Sequence, residues 1–433
     1  MNTFSEPARE IPISDRTNIL VLGGGPAGFS AAVCAARQGA SVVLVESSGE
    51  LGGMATIGMM SHWTGNTAGG FYQQLLEKTC CESPDGAPDM DFKRIIDHEK
   101  LKLCMLAMAE EAGVKLKLYT MAVQPIVEKN AIKGVIIEGK SGREAILSGI
   151  VIDATGDGDI AARAGVPFIK GREGDGKMQP VTVMFKIGGV DTSKVRYVSS
   201  FEETYQTPAG DIQSLAKKHL PAPMGHILVY PSTQPNTVTI NMTNMIDIDG
   251  TDTDQLTRGD VACRKQIPVI MDFLRRFADG FEHSYVVTTA SFPGVRETRH
   301  FEGEETITEE DIRIARIFDS WAVTQAHFNF DVHNLDGSGL DQTGEQKHFT
   351  QNKGYTIPYG ALVPKKIDNL YLCGRNISGT HLAHSNYRAM PICANIGQAA
   401  GTAAALCVKM GCTPRELPVK ELQEALMKQG VIV

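Results

Sequence analysis

Two stretches of this 433-residue chain concentrate side chains that can move a proton or hold an anion. The denser is Ser378-Gly-Thr-His381-Leu-Ala-His384-Ser-Asn386-Tyr-Arg388, a polar run read as a loop, with two imidazoles and a guanidinium. An imidazole titrates near neutral pH, so His384 or His381 is suited to take the proton of an alcohol or amine while hydride leaves the adjoining carbon. The same groups are equally suited to holding their own loop or a bound cofactor. The second stretch is Arg296-Glu-Thr-Arg299, which follows Ser291-Phe-Pro-Gly294. In extended chain alternate residues face one way, so Arg296 and Thr298 point opposite to Glu297 and Arg299. Arg296 offers a planar fork for a substrate carboxylate or for negative charge on a reduced cofactor, against a plainer role in a buried Arg–Glu bridge between lobes. Asp331-Val-His333 reads as substrate contact or as structural support, and His62-Trp63 as neighbours of a cofactor ring, with His62 one candidate for covalent attachment. The 9 cysteines are odd in number and scattered, Cys80-Cys81 lacks CxxC spacing, and no metal site is expected.

A hydride needs an acceptor, and the N-terminal segment is built to hold one. Asn18-Ile-Leu-Val-Leu-Gly-Gly-Gly-Pro-Ala-Gly28 runs from a buried strand, Ile19 to Leu22, into an alanine-rich helix over Phe29 to Gln38, with Val42 to Val45 as the next strand. Gly23, Gly25 and Gly28 give GxGxxG spacing: the first permits a tight turn, the second lets backbone approach a pyrophosphate, and the third packs helix on strand. Glu46 ends the second strand about 20 residues on, where a carboxylate accepts a ribose hydroxyl. These glycines do not separate NAD from FAD. The second pair, Gly52-Gly53, favours FAD, because it lies where flavoproteins bend the chain around the same pyrophosphate. So does Val151-Ile-Asp-Ala154-Thr155-Gly156, which resembles the motif with which flavoproteins bring the chain back beside the adenosine half, and so does Leu370-Tyr-Leu-Cys-Gly374 with a later small-residue helix that starts at Pro391. The positive end of that helix can face the flavin edge that gains charge on reduction.

Together these segments resemble the FAD-dependent oxidoreductase family with a glutathione-reductase-type FAD domain, relatives of which include tricarballylate dehydrogenase and the flavin subunit of heterodisulfide reductase. The matching segments also include Gly294-Val-Arg-Glu-Thr-Arg299, Asp331-Val-His333, Ile357-Pro-Tyr359 and Gly374 through His384 to Gly401, so the resemblance spans nearly the whole chain. It implies an α/β fold: a Rossmann-like FAD/NAD(P)-binding domain of three-layer ββα type, carrying an antiparallel α+β substrate lobe. It implies FAD contacts from Gly23, Gly25, Pro26, Ala27 and Gly28; from Glu46, Ser47, Gly52, Gly53, Met54 and Ala55; from Val123, Ala154, Thr155 and Gly156; and from Gly374, Arg375, Asn376, Pro391 and Ile392. Arg375 departs from the wider fold, where an acidic residue often meets the ribityl chain. No redox cysteine pair follows Gly52-Gly53 and no second GxGxxG appears, so a disulfide reductase and a resident NAD domain are not expected. Two functions stay open. One is a dehydrogenase or reductase moving hydride between flavin N5 and a small polar substrate, a carboxylate among the candidates. The other is an electron-transfer flavin subunit serving a partner protein.

Composition sets bounds on both. A net charge of -8 with 21% charged residues leaves no basic block for nucleic acid or anionic membrane. The small-apolar stretch from Pro391 is interrupted by Asn395, Gln398 and Thr402 and reads as a core helix rather than a membrane span. No signal-peptide pattern precedes the first strand, and a cytoplasmic protein is expected, with homo-oligomerisation and the electron donor or acceptor left open. The punctuation predicts an extension over 1–16, an FAD domain over 17–165 and 356–415, a substrate lobe over 166–355 and a helical tail over 416–433. It also predicts a helix over Asp91 to Glu111, a strand over Val114 to Thr120 and a β-meander over Val127 to Leu147. In the lobe it predicts strands at Val181 to Ile187, His226 to Tyr230, Val238 to Met242 and Tyr285 to Thr289. A helix is predicted over Ile312 to Ala326, after a start signal at Thr308 to Asp311.

Overall fold

The apolar run Ile19 to Leu22 has no polar side to offer solvent, and in the computed structural model it is wholly buried at the centre of a parallel sheet. The structure describes residues 3–60, 62–79, 94–341, 349, 351 and 353–433. Its first strand, Ile13–Leu22, lies between Val42–Val45 and the long strand Gly142–Asp153, and Lys115–Lys117 extends the sheet beyond Val42–Val45. The far edge of Gly142–Asp153 is shared. Its C-terminal end pairs in parallel with Leu370–Leu372, while its N-terminal end pairs antiparallel with Ala131–Gly139, which carries Met121–Glu128. One strand thereby joins the parallel sheet to the expected meander. The N-terminal extension is shorter than predicted: Ile13 and Asp15 to Thr17 already pair with Ala145 to Ser148, because a polar strand end is satisfied by a neighbour's backbone whatever its side chains.

The helix Pro26–Arg37 and the helix Met390–Met410 meet at backbone distance on this sheet. A Cβ on Gly397 would lie 2.0 Å from the Ala27 carbonyl oxygen, and one on Gly401 would lie 2.1 Å from that of Ala31. Met390–Met410 has the length and apolarity to cross a membrane, yet 89% of its most apolar window is buried inside the protein. It is held there by small residues.

The second lobe has its own core under a four-stranded antiparallel sheet, ordered Val229–Pro231, Val238–Ile240, Phe185–Gly188, Tyr285–Thr289. The turn at Ser232 to Asn236 makes the expected hairpin, and the helix Thr253–Phe277 packs Ile267, Ile270, Met271 and Leu274 against this core. The strands are shorter than predicted: Val181 and Thr182 make isolated bridges only, and His226 to Leu228 precede the strand.

Three other readings are corrected. The helix predicted from Ile312 to Ala326 stops at Arg313; Thr308 and Asp311 form the capping box, but Ala315 takes a positive φ of 53°, and Trp321–Ala326 is a strand on Tyr355–Pro358. β-branched and aromatic residues with a partner strand outweigh the start signal. The helix predicted from Asp91 starts at His98, where Asp97 accepts from the backbone N–H groups of Glu99 and Lys100; Ile95 pairs instead with His62. Residues 91–93 and Cys80-Cys81 lie outside the described residues. Finally, the run predicted as a loop contains the helix His381–Tyr387, capped by the Thr380 hydroxyl.

Candidate active site

The glycine loop is shaped by what its residues lack. Gly23, at φ +95°, would place a Cβ 2.3 Å from the Ala154 carbonyl oxygen, and a Cβ on Gly28 would meet the Gly23 carbonyl oxygen at 1.9 Å. Gly25 differs, since nothing of the protein lies within 4 Å of its ideal Cβ. The open space faces the N-terminus of Pro26–Arg37, whose first N–H groups point at it. Gly52 donates to the Gly24 carbonyl at 2.8 Å, and a Cβ on Gly53 would reach Gly25 Cα at 3.1 Å, so both glycine pairs enclose one space. Glu46 supports the loop from below: Oε2 accepts from Gly24 N at 2.7 Å, and Oε1 from Ser48 N at 2.7 Å and the Ser47 hydroxyl at 3.1 Å. Val123 is the unpaired residue of a bulge between Ala122 and Gln124.

Asp153, which sequence reasoning passed over, ties the returning strand together. Its buried carboxylate accepts from Ile160 N and Ala161 N at 2.9 and 2.7 Å and from Thr155 Oγ1 at 2.7 Å. Asn376, expected at the cofactor, is wholly buried and pins the neighbouring turn, accepting from Cys373 N and donating to the Asp153 carbonyl at 3.0 Å each. Pro391 and Ile392 are buried in the first turn of their helix, and it is Ala389 and Met390 that reach the adjoining cavity.

That cavity, of about 450 Å³, lies where the second lobe covers the first. Met54, Met60, His62, Met184, Leu228 and Tyr230 are among the residues that line it. His62 stacks on Tyr230 with ring centres 4.5 Å apart. Three arginines line it. Arg375 pairs with Asp157, and Arg388 donates to Asp331 Oδ2 at 2.9 Å. The Nε of each is buried with no hydrogen-bond partner among the described residues. Arg296 differs from both: it donates to the Pro180 carbonyl at 2.6 Å and has no carboxylate within ion-pair distance among the described residues. Burial and repulsion from Arg388 push it down to about 10. Asp331 also faces His333, with Oδ1 3.5 Å from Nε2. Burial opposes its ionisation, but His333, Arg388 and Arg296 prevail and hold the carboxyl well below the usual range. His333 is lowered to about 4, first by burial and then by Arg296.

Of the expected catalytic residues, Arg296 lines this cavity and the two histidines do not. His381 and His384, three apart on one helix, face inward toward a second cluster. His381 Nδ1 donates to Glu297 Oε1 at 2.5 Å, and His300 Nε2 donates to the same oxygen at 2.8 Å. These are hydrogen-bond spacings, shorter than the roughly 3.3 Å that separates ligands around a tetrahedral zinc ion. His384 packs edge-on against His300, and burial and that neighbour keep it well below the ordinary histidine value. Glu297 thus meets imidazoles rather than an arginine, and the lobes are bridged by Arg299, which donates to the Asp157 carbonyl at 2.7 Å and to Asp159 at 2.9 Å. Trp63 is buried in the first core rather than at the cavity. Tyr230 and Asn241 were missed in sequence, where an apolar strand and a polar residue beyond its end carry no local mark.

The enclosed glycine space, and the two unpartnered guanidinium nitrogens at the cavity beside it, suit a dinucleotide with its phosphates at the loop and its ring end toward Arg375. Comparison with known proteins supports FAD as that dinucleotide. The model of the FAD dependent oxidoreductase family matches residues 18–426. A digeranylgeranylglycerophospholipid reductase of Methanosphaerula palustris is 26% identical over 153 residues, covering 32% of this chain and 38% of that protein. The enzyme of the same description from Methanosarcina mazei is 26% identical over 226 residues, covering 46% and 51%. The chain therefore matches about half or less of these relatives' length. The solved p-nitrophenol 4-monooxygenase of Pseudomonas putida superposes with a TM-score of 0.51 over 96% of this chain and 85% of its own, at 11% identity, a likeness of fold alone.

Proposed function

The chain belongs to the FAD dependent oxidoreductase family, and from that premise we propose that it exchanges hydride with a small polar substrate held by a carboxylate at Arg296. One observation carries the reading: Arg375 and Arg388 each have a carboxylate partner, while Arg296, on the same wall, has a carbonyl and, among the described residues, no carboxylate within ion-pair distance. A desolvated guanidinium beside a second one is relieved by an anion, and its planar fork fits a carboxylate bidentately. Bound FAD supplies the hydride acceptor or donor. Met54, Met60, Met184 and Leu228 exclude water from the space in which the reacting carbon would lie. The proton falls to His333 rather than His384, because His333 lines the cavity and is neutral at physiological pH. Substrate binding strengthens it as a base: an anion on Arg296 cancels the charge that, after burial, depresses His333 most, while Asp331 favours the imidazolium.

The test is anaerobic mixing of the yellow holoenzyme with small hydroxy- and amino-carboxylates, followed by flavin absorbance. Bleaching that requires the carboxylate supports the reading. No bleaching by any of them, with flavin reduced only in the presence of a second protein, would favour an electron-transfer subunit instead.

A further inference from the structure

The cluster Glu297, His300 and His381 lies outside the cavity, yet its hydrogen bonds run into the cavity wall through one short segment. Glu297 Oε2 accepts from Gln179 N at 3.1 Å, and its other oxygen takes both imidazoles. Gln179 is itself buried, and its side-chain oxygen accepts from His333 N at 3.2 Å and from Arg388 Nη2 at 3.4 Å. The next residue, Pro180, offers the carbonyl to which Arg296 donates. Gln179-Pro180 is therefore fastened to Glu297 on one side and fastens Arg296, Arg388 and the backbone of His333 on the other. Arg296 and Glu297 are adjacent and face opposite ways, so the carboxylate that fixes the strap is also fixed relative to the arginine that uses it. The carboxylate is ionised: burial opposes this, but hydrogen bonds from His300 and His381 hold it well below the usual range. An ionised acceptor makes stronger and more directional bonds than a neutral one.

From this geometry we infer that Glu297, oriented by His300 and His381, is a positioning residue that sets the anion-binding guanidinium of Arg296 through Gln179-Pro180, which also holds Arg388. The inference rests on the reading of Arg296 as the carboxylate anchor. It assigns a role in anion affinity to a carboxylate that never touches the substrate, and it accounts for two histidines converging on one oxygen away from the cavity.

The experiment titrates holoenzyme with succinate and, separately, with neutral succinamide, reading the shift of the flavin absorbance band. Wild type is expected to bind succinate saturably. Arg296→Ala is expected to lose that binding at least 100-fold. Glu297→Gln and His381→Leu are each expected to weaken succinate about 10-fold or more while succinamide affinity, flavin content and Tm stay near wild type. A general packing defect would weaken both probes alike, and that result in His381→Leu overturns the inference. So does unchanged succinate affinity in His381→Leu, the variant that removes one orienting imidazole and leaves the buried carboxylate in place should Glu297→Gln fail to fold. If wild type itself shows no preference for succinate and Arg296→Ala changes nothing, the reading of Arg296 falls, and the positioning role falls with it.

Discussion

The loop around Gly25 and the wall around Arg296 are built by different means. The loop is shaped by backbone: side chains are missing at Gly23 and Gly28 because other backbone atoms occupy the space, and the space at Gly25 stays open. The wall is made of long side chains drawn from distant segments, each aimed by hydrogen bonds to a neighbour such as Pro180, Asp331 or Asp157. A site made of missing atoms fails all at once when an atom is added. A site made of supported side chains degrades by steps, with anion affinity and cofactor retention separable.

The largest effect should come from Gly28→Val. Its Cβ would stand 1.9 Å from backbone that has nowhere to go, and we expect no soluble flavoprotein, judged by flavin content and Tm after purification. Arg296→Ala should instead leave a folded, yellow protein whose affinity for a carboxylate substrate falls about 100-fold, or about 2.8 kcal/mol, in KM or in a spectral titration. Gly25→Ala divides the loop against itself. Its φ of -66° suits alanine and no protein atom is in the way, so the apoprotein should melt within a few degrees of wild type while FAD affinity, by fluorescence titration, drops about 10-fold. If apoprotein stability and FAD affinity fall together, the open space at Gly25 belongs to the fold and not to the ligand.

The smallest effect is in pH. His226 is lowered to about 3 and His333 to about 4, chiefly by burial, so between about pH 6 and pH 4.5 the unfolded chain binds more protons than the native one. Stability is then fully present above the unfolded histidine value and declines on acidification, by about 1.4 kcal/mol per pH unit for each such proton. His333→Asn should lower the slope by close to one proton in denaturant titrations across that window. An unchanged slope would mean that His333 is not held neutral.

The same contrast explains what could be read in advance. Gly23 and Gly28 are legible because steric exclusion by backbone is written in the residue type itself, and Gly25, Gly52, Gly53 and Ala154-Thr155-Gly156 because they recur at set places beside them in the sequence. Arg296 was legible as a candidate through its neighbours Gly294 and Arg299. His384 misled, because a dense polar run suggests a loop. With Thr380 as cap, the run becomes a helix that turns His381 and His384 together toward Glu297 and leaves Arg388, past the last turn, to reach the cavity. Which face of a short helix is buried depends on what packs against it. Asp153 and Gln179 leave no signal at all: each is an ordinary polar residue whose importance is the set of N–H groups and side chains that converge on it.

The backbone contact of Gly397 and Gly401 with Ala27 and Ala31 also orders events during synthesis. The nucleotide half begins near the start of the chain, but the helix that presses against its first helix emerges almost last. The covering lobe, with its separate core, is complete in sequence before that. The packing at Gly397 and Gly401 can therefore form only after Met390–Met410 has been made. A chain truncated within that helix should retain a structured covering lobe while lacking the surface that clamps the cofactor-binding helix in place.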